Sequence, residues 1–215
     1  MTGARRTWTT FGPRVGLILC GVVSVFLIAT TIGAGLTSSA DDRGQHIWLE
    51  IPIPNEAAID PIRLGYYGWA FGAPVLIAVA ALLVTTVIAL RRNAARPFIR
   101  PETVAAERRL RADVASGAVA LSTAGMLLAM GGAWRLIARA GSPAQLWIDG
   151  QNGGEPYDAT WRYAELASVA GWAAPILELI AFGLLFVVAA KMGKKRPSSP
   201  DARIDELADA AGTGR

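Results

Sequence analysis

The sequence is poor in the residues that most often carry chemistry. Its 215 residues include one cysteine, Cys20, and one histidine, His46. A single cysteine excludes an internal disulfide and a CxxC redox pair, and a single histidine excludes bis-histidine ligation of a haem. Metalloprotease, Walker, nucleophile-elbow and GxGxxG motifs are also missing. We therefore expect a protein that is not an enzyme and that holds no cofactor.

Charge is scarce as well. Charged residues make up 18% of the chain and hydrophobic residues 53%, with a mean hydropathy of +0.37, whereas soluble domains contain about 25% charged residues. The net charge of +4 would by itself be compatible with nucleic-acid binding. The basic residues flank apolar runs, however, which is typical of arginines that set membrane topology. We expect a membrane protein without a nucleic-acid partner.

Four apolar runs are each long enough to cross a bilayer, since about 20 helical residues span the hydrocarbon core. They cover residues 13–37, 66–90, 114–137 and 164–190. The sequence therefore predicts an all-α polytopic membrane protein with four transmembrane helices.

The segments between the runs predict two tandem helical hairpins. The first hairpin covers 13–90 with an outer loop at 38–65, and the second covers 113–190 with an outer loop at 138–163. A basic connector, 91–112, joins the hairpins. The terminal segments are 1–12 and 191–215.

The distribution of basic residues predicts the orientation. Sixteen of the 21 Lys and Arg residues lie at the N-terminal end, in the connector and in the C-terminal segment. The positive-inside rule places these three regions in the cytoplasm of a multi-pass protein of the bacterial plasma membrane. We expect contacts with anionic lipid head groups at the cytoplasmic face. The residues expected to make them are Arg91, Arg92, Arg96, Lys191, Lys194 and Lys195.

The first outer loop contains a strand-like pattern, because apolar and other residues alternate between Ile47 and Ile53. Pro52 and Pro54 restrict such a segment to a sheet edge or to a polyproline-like conformation. His46 lies in the same loop among acidic residues. A lone histidine in that setting is more typical of a solvated loop than of a metal site, and we expect no metal.

The fourth run carries one ionisable residue near its middle, Glu178, three residues after Pro175. Helical rise places Glu178 roughly 18 Å from the cytoplasmic end, and Ser24 and Thr123 at about 15–17 Å. Three interpretations stay open: a polar anchor on those hydroxyls, a contact with a partner membrane subunit, and a proton or cation pathway. We expect Arg135, near the end of the third run, to reach lipid head groups.

The two hairpins also resemble each other in sequence. Aligning Pro74 with Pro175 matches residues 71–76 to residues 172–177, and each segment is followed by apolar residues and a basic cluster. This pattern predicts a parallel repeat with a pseudo-two-fold axis along the membrane normal. Glu178 takes the place of Ile77, so the repeat is broken at the acidic residue.

The fourth run contains an element formed by Ala174, Pro175, Ile176 and Glu178. With the four spans and the basic connector, this element resembles the actinobacterial four-helix accessory subunits of the cytochrome bcc–aa3 respiratory supercomplex. The resemblance implies a cofactor-free, non-catalytic structural subunit whose partners are other membrane subunits. The alternative is a small oligomeric transporter or ion-conducting protein that uses Glu178.

Overall fold

The computed structural model describes residues 13–53, 60–95, 104–143, 145–149 and 152–193. This part of the chain is mainly helical and contains four long helices. They are α1 (Arg14–Thr37), α2 (Trp69–Ala95), α3 (Val104–Gly141) and α4 (Ala164–Gly193). All four are long and apolar enough to cross a membrane, which confirms the predicted number of spans.

The helices do not end where the apolar runs end. α2 begins at Trp69 rather than at Tyr66, and α3 begins at Val104, ten residues before the predicted start of its span. The added first turns of α3 are rich in Ala, Arg, Glu and Leu, which are strong helix formers. Part of the predicted basic connector is therefore helical.

A three-stranded antiparallel sheet follows α1. Its strands are β1 (Ser39–Ala40), β2 (His46–Ile51) and β3 (Ile62–Gly65), in the order β1-β2-β3. β2 confirms the extended segment predicted from alternation, with Leu49 and Ile51 buried. The predicted edge position is wrong, because β2 pairs with both β1 and β3 and is the central strand. It ends before Pro52, which has no backbone N–H to donate to a neighbouring strand.

A smaller antiparallel pair follows α3. It consists of β4 (Gln145–Leu146) and β5 (Tyr157–Asp158), with a short 3₁₀ turn at Asn152–Gly154 between them. Gly153 and Gly154 both have positive φ angles, which glycine adopts without steric cost. The sequence predicted an outer loop here but not a strand pair.

α3 is the central helix, because α1, α2 and α4 all pack against it, and its contact with α4 is the most extensive. α1 runs parallel to α3, since Ser24 contacts Met126 and Thr30 contacts Trp134. α2 runs antiparallel to it, and one of the bonds between the two helices joins Thr86 to Ser122.

The two ends of the bundle differ in chemistry. At the end formed by the C-termini of α1 and α3, an apolar cluster joins the helices to both β segments, and it includes Leu49, Tyr66, Ala133 and Ala159. We call this the sheet end. The opposite end, where α2 and α4 terminate, carries exposed Arg92 and Lys191, and we call it the basic end.

Candidate functional site

α4 packs on α3 through a seam of small side chains. Ala167, Ala174, Ala181 and Val188 recur every seven residues and are all buried. On α3, Gly141 lies against Ala167, and a Cβ atom at that glycine would collide with it. Small residues let two apolar helices approach closely within a membrane, so the spacing of Ala and Gly sets the antiparallel register of the pair.

Pro175 lies inside α4 without interrupting it, since the helix is continuous from Ala164 to Gly193. Proline cannot donate the backbone hydrogen bond that would go to Gly171. Pro175 is exposed and the adjacent Ala174 is fully buried on the seam. The missing bond therefore lies at the flank of the seam, one turn before Glu178.

Glu178 pairs with Arg135 of α3. The Nε atom of Arg135 donates to Oε1 of Glu178 at 2.6 Å, and Nη2 donates to Oε2 at 2.5 Å. This two-point geometry matches the fork of the guanidinium to the two carboxylate oxygens and is the strongest form of such a pair. The arrangement neutralises the carboxylate near the middle of α4.

Gly131 makes room for this pair. It lies one turn before Arg135 on α3, and a Cβ atom built there would be 2.8 Å from Cγ of Glu178. The stem of Glu178 therefore packs directly on the backbone of α3. The next residue, Gly132, has open space at the corresponding position.

The ion pair lies at the edge of the helix pair rather than in its core. The side chain of Arg135 is 58% exposed and that of Glu178 is 22% exposed. Within a membrane-spanning segment, an exposed surface faces either lipid or another protein. The charged groups are thus accessible to a neighbour in the bilayer.

The hydroxyl partners expected for Glu178 are not its partners. Ser24 donates to the backbone oxygen of Cys20 at 2.7 Å and contacts the sulfur of Met126, and Thr123 donates to the backbone oxygen of Val119 at 2.9 Å. Both side chains are buried. The depth estimate matched these residues along the membrane normal but carried no information about the helix face on which each one lies.

Arg135 was expected at the head groups and is found instead on Glu178. The sequence carries part of the signal for this pairing, and the register of the two helices carries the rest. Long side chains on a helix point towards its N-terminus, so Arg135 reaches away from the sheet end and towards the membrane centre. The antiparallel register that places Ala138 against Gly171 brings residue 135 within about one turn of residue 178.

Three of the residues expected at lipid head groups lie within the described part of the chain, and all three are at the basic end. Arg91, Arg92 and Lys191 are exposed at the ends of α2 and α4. Arg96, Lys194 and Lys195 fall outside the described residues. Contact with anionic lipid stays a prediction for this set.

The polar residues of the first loop are engaged with one another. Nδ1 of His46 lies 3.1 Å from the backbone oxygen of Ser38, and Arg63 donates to Glu50 at 2.9 Å. Within the described ranges, no three His, Cys, Asp or Glu side chains come together as metal ligands would. These contacts hold the strands of the sheet and form no evident reaction centre.

Two tyrosines tie the segment before α2 to α1. The hydroxyl of Tyr66 lies 2.9 Å from Oγ1 of Thr37, and that of Tyr67 lies 3.3 Å from Oγ1 of Thr31. Burial raises the pKa of both phenols, and the hydrogen bonds to the threonines partly oppose this rise. Both tyrosines precede α2 and lie outside the helical spans.

Comparison of the chain with protein-family models, with characterised proteins and with solved structures finds no match.

Proposed function

We propose that the chain is a non-catalytic accessory subunit of a bacterial plasma-membrane complex. It docks onto a partner membrane subunit through the face of α3 and α4 that carries Arg135 and Glu178. The observation that carries the proposal is this bidentate ion pair, which lies within apolar spans with more than half of the Arg135 side chain exposed.

The depth of the pair supports a protein partner. Glu178 is about 21 Å from either end of α4, given a rise of 1.5 Å per residue. Charged groups at such a depth are costly against lipid and normally face protein or a water-filled cavity. A partner with polar groups at the same depth would solvate the ion pair better than acyl chains do.

The surface beside the pair has the composition of an interface. Trp172, Leu179, Phe182 and Phe186 are all strongly exposed, and their spacing places them on one side of α4. Aromatic residues and arginine are enriched in protein interfaces and among their energetic hot spots. These four side chains and the ion pair together form an apolar surface with one oriented polar contact.

The partner class follows from the resemblance of Ala174, Pro175, Ile176 and Glu178 to the accessory-subunit element. We propose a respiratory oxidase supercomplex as the assembly. In this arrangement the basic end is cytoplasmic, with both chain termini on that side, and the helices form two tandem hairpins.

Purification of the tagged, full-length chain from native membranes in mild detergent tests this proposal. The wild-type chain is expected to co-migrate with haem-containing subunits, measured by absorbance. Glu178→Gln and Arg135→Gln each leave one charge without its partner, and we expect either to lower co-migration at least about tenfold.

Arg139→Gln is the matched control, because Arg139 is exposed one turn further along α3 and is not part of the pair. It should leave co-migration unchanged. Isolation of the wild-type chain as a lone homo-oligomer would contradict the proposal. Flux through proteoliposomes of the wild-type chain that Glu178→Gln abolishes would favour the transporter instead.

A further inference from the structure

A second feature of the molecule is a groove of about 580 Å³ at the sheet end. Its walls are the last two turns of α1, from Thr30 to Thr37, and the start of α4, including Leu166 and Val169, and α3 supplies Trp134 at its floor. The volume lies within the range of about 300–1,000 Å³ that is typical of ligand sites.

The groove is separate from the ion pair. Val169 lines it, and Glu178 follows nine residues later. At about 100° per residue these two side chains project from opposite sides of α4. A ligand in the groove therefore occupies a different surface from the proposed docking face.

Aromatic side chains form the mouth of the groove. The ring of Trp161 packs edge to face against Tyr66, with centroids 5.8 Å apart, and against Tyr163, with centroids 5.3 Å apart. Tryptophan and tyrosine are enriched where the membrane meets water. Their position indicates that the mouth lies at head-group level while the groove extends into the hydrocarbon.

Arg162 places a positive charge at this mouth. Its guanidinium carbon lies 4.5 Å from the centroid of the Tyr163 ring, and Nη2 donates to the Tyr163 hydroxyl at 2.6 Å. The side chain is exposed, so its remaining N–H groups are free to meet an anion. Arginine suits phosphate because its donors form a rigid fork.

Hydrogen bonds hold the walls of the groove together. Nε1 of Trp134 donates to Oγ1 of Thr30 at 3.2 Å and joins the α1 wall to the floor. Thr37 and Tyr66 tie the same wall to the segment that precedes α2. Within the groove, Gly33 has open space where a side chain would begin.

We propose that this groove binds one acyl chain of an anionic phospholipid, with the phosphate on Arg162. The lipid comes from the leaflet at the sheet end. A transmembrane partner helix is a poorer fit, because the α1 wall is only about 10 Å long, whereas a membrane-spanning helix is about 30 Å long. A single acyl chain can enter a short groove that is open to its own leaflet.

Photolabelling of the full-length protein in phosphatidylcholine nanodiscs tests the proposal. The probe is phosphatidylglycerol with a diazirine in one acyl chain, at a small fraction of the lipid. We expect adducts in the peptides that contain residues 30–37 and 166–170. Phosphatidylcholine with the same acyl chain carries the same phosphate but also a choline cation, which repels Arg162, and it should label about fivefold less, as expected for the loss of one net electrostatic attraction between a basic residue and an anionic lipid.

Three variants make the result specific. Gly33→Leu fills the groove and should remove the adducts, whereas Gly21→Leu adds the same side chain to α1 at a position that also has open space and should not. Arg162→Gln should abolish the preference for phosphatidylglycerol while the acyl-chain adducts persist. Equal labelling by the two lipids in the wild-type protein, or labelling that survives Gly33→Leu, would overturn the proposal. So would a photocrosslink from Val169 to another polypeptide in the native complex.

Discussion

At the scale of single residues, Gly131 determines how closely Glu178 approaches α3. Without a side chain at residue 131, the Glu178 stem lies on the α3 backbone, and its carboxylate reaches Arg135 with two hydrogen bonds. The hydroxyl groups of Ser24 and Thr123 donate hydrogen bonds to backbone oxygens of their own helices. Among the described residues, the polar groups of the spans therefore use local backbone contacts, side-chain hydrogen bonds between helices such as Thr86 to Ser122, and the ion pair of Arg135 with Glu178.

Gly131→Ala is expected to destabilise the protein by about 1–3 kcal/mol, as for other overpacked sites, because the added methyl group displaces the Glu178 stem. Thermal unfolding in detergent, followed by near-ultraviolet circular dichroism, measures the change. Gly132→Ala is the control, since its methyl group enters open space and alanine favours a helix. Equal unfolding temperatures for the two variants would show that residue 131 does not constrain the pair.

At the scale of elements, the sheet end is held to the helices by its buried face. Leu49 and Ile51 of β2 are buried, while Tyr66 and Tyr67 attach the chain between β3 and α2 to α1. The described β segments at the sheet end therefore form a cap that packs directly on the bundle. This cap also shapes one wall of the groove at the sheet end.

The raised pKa values of Tyr66 and Tyr67 predict a loss of stability at high pH. An unfolded tyrosine ionises near pH 10, whereas the folded protein retains these two protons to higher pH. The unfolded state is therefore favoured progressively as the pH rises above about 10, and stability should be independent of these groups below that value.

Unfolding temperatures measured between about pH 8 and pH 11.5 test this prediction, since the expected loss begins near the unfolded pKa. The double variant Tyr66→Phe/Tyr67→Phe cannot ionise at these positions and should lose less stability over the same range. If the wild-type protein and the variant show the same pH dependence, the two phenols are not responsible for it.

At the scale of the whole molecule, three helices pack around α3 and the two ends carry different chemistry. Aromatic side chains such as Trp161 and Tyr163 gather at the sheet end, and exposed Arg91, Arg92 and Lys191 lie at the basic end. The positive-inside rule predicts that the basic end faces the cytoplasm. This asymmetry gives a prediction for orientation in the membrane.

Cysteine labelling in intact cells checks that orientation. In a Cys20→Ala background, Gln145→Cys at the sheet end is expected to react with a membrane-impermeant maleimide. Arg92→Cys at the basic end should react only after the cells are broken. Both positions are exposed, so the reverse pattern would show that the bundle is inserted the other way.

The sequence alone determined the number of spans, the β2 strand and the position of the basic clusters. These features depend on local patterns: the length of an apolar run, alternation between Ile47 and Ile53, and charge next to a span. Each is a property of consecutive residues and needs no knowledge of which helices touch. The bounds of α3 were less accurate, because helix-forming Ala and Arg residues extend it beyond its apolar part.

Only the tertiary structure decided that Arg135 is the partner of Glu178 and that a groove opens between α1 and α4. Depth along a helix follows from counting residues, but the face a residue presents depends on how neighbouring helices pack. The seam of Ala167, Ala174 and Ala181 against Gly131 and Gly141 fixed that rotation. The close approach of α3 and α4 therefore turned two separate charges in the sequence into one ion pair.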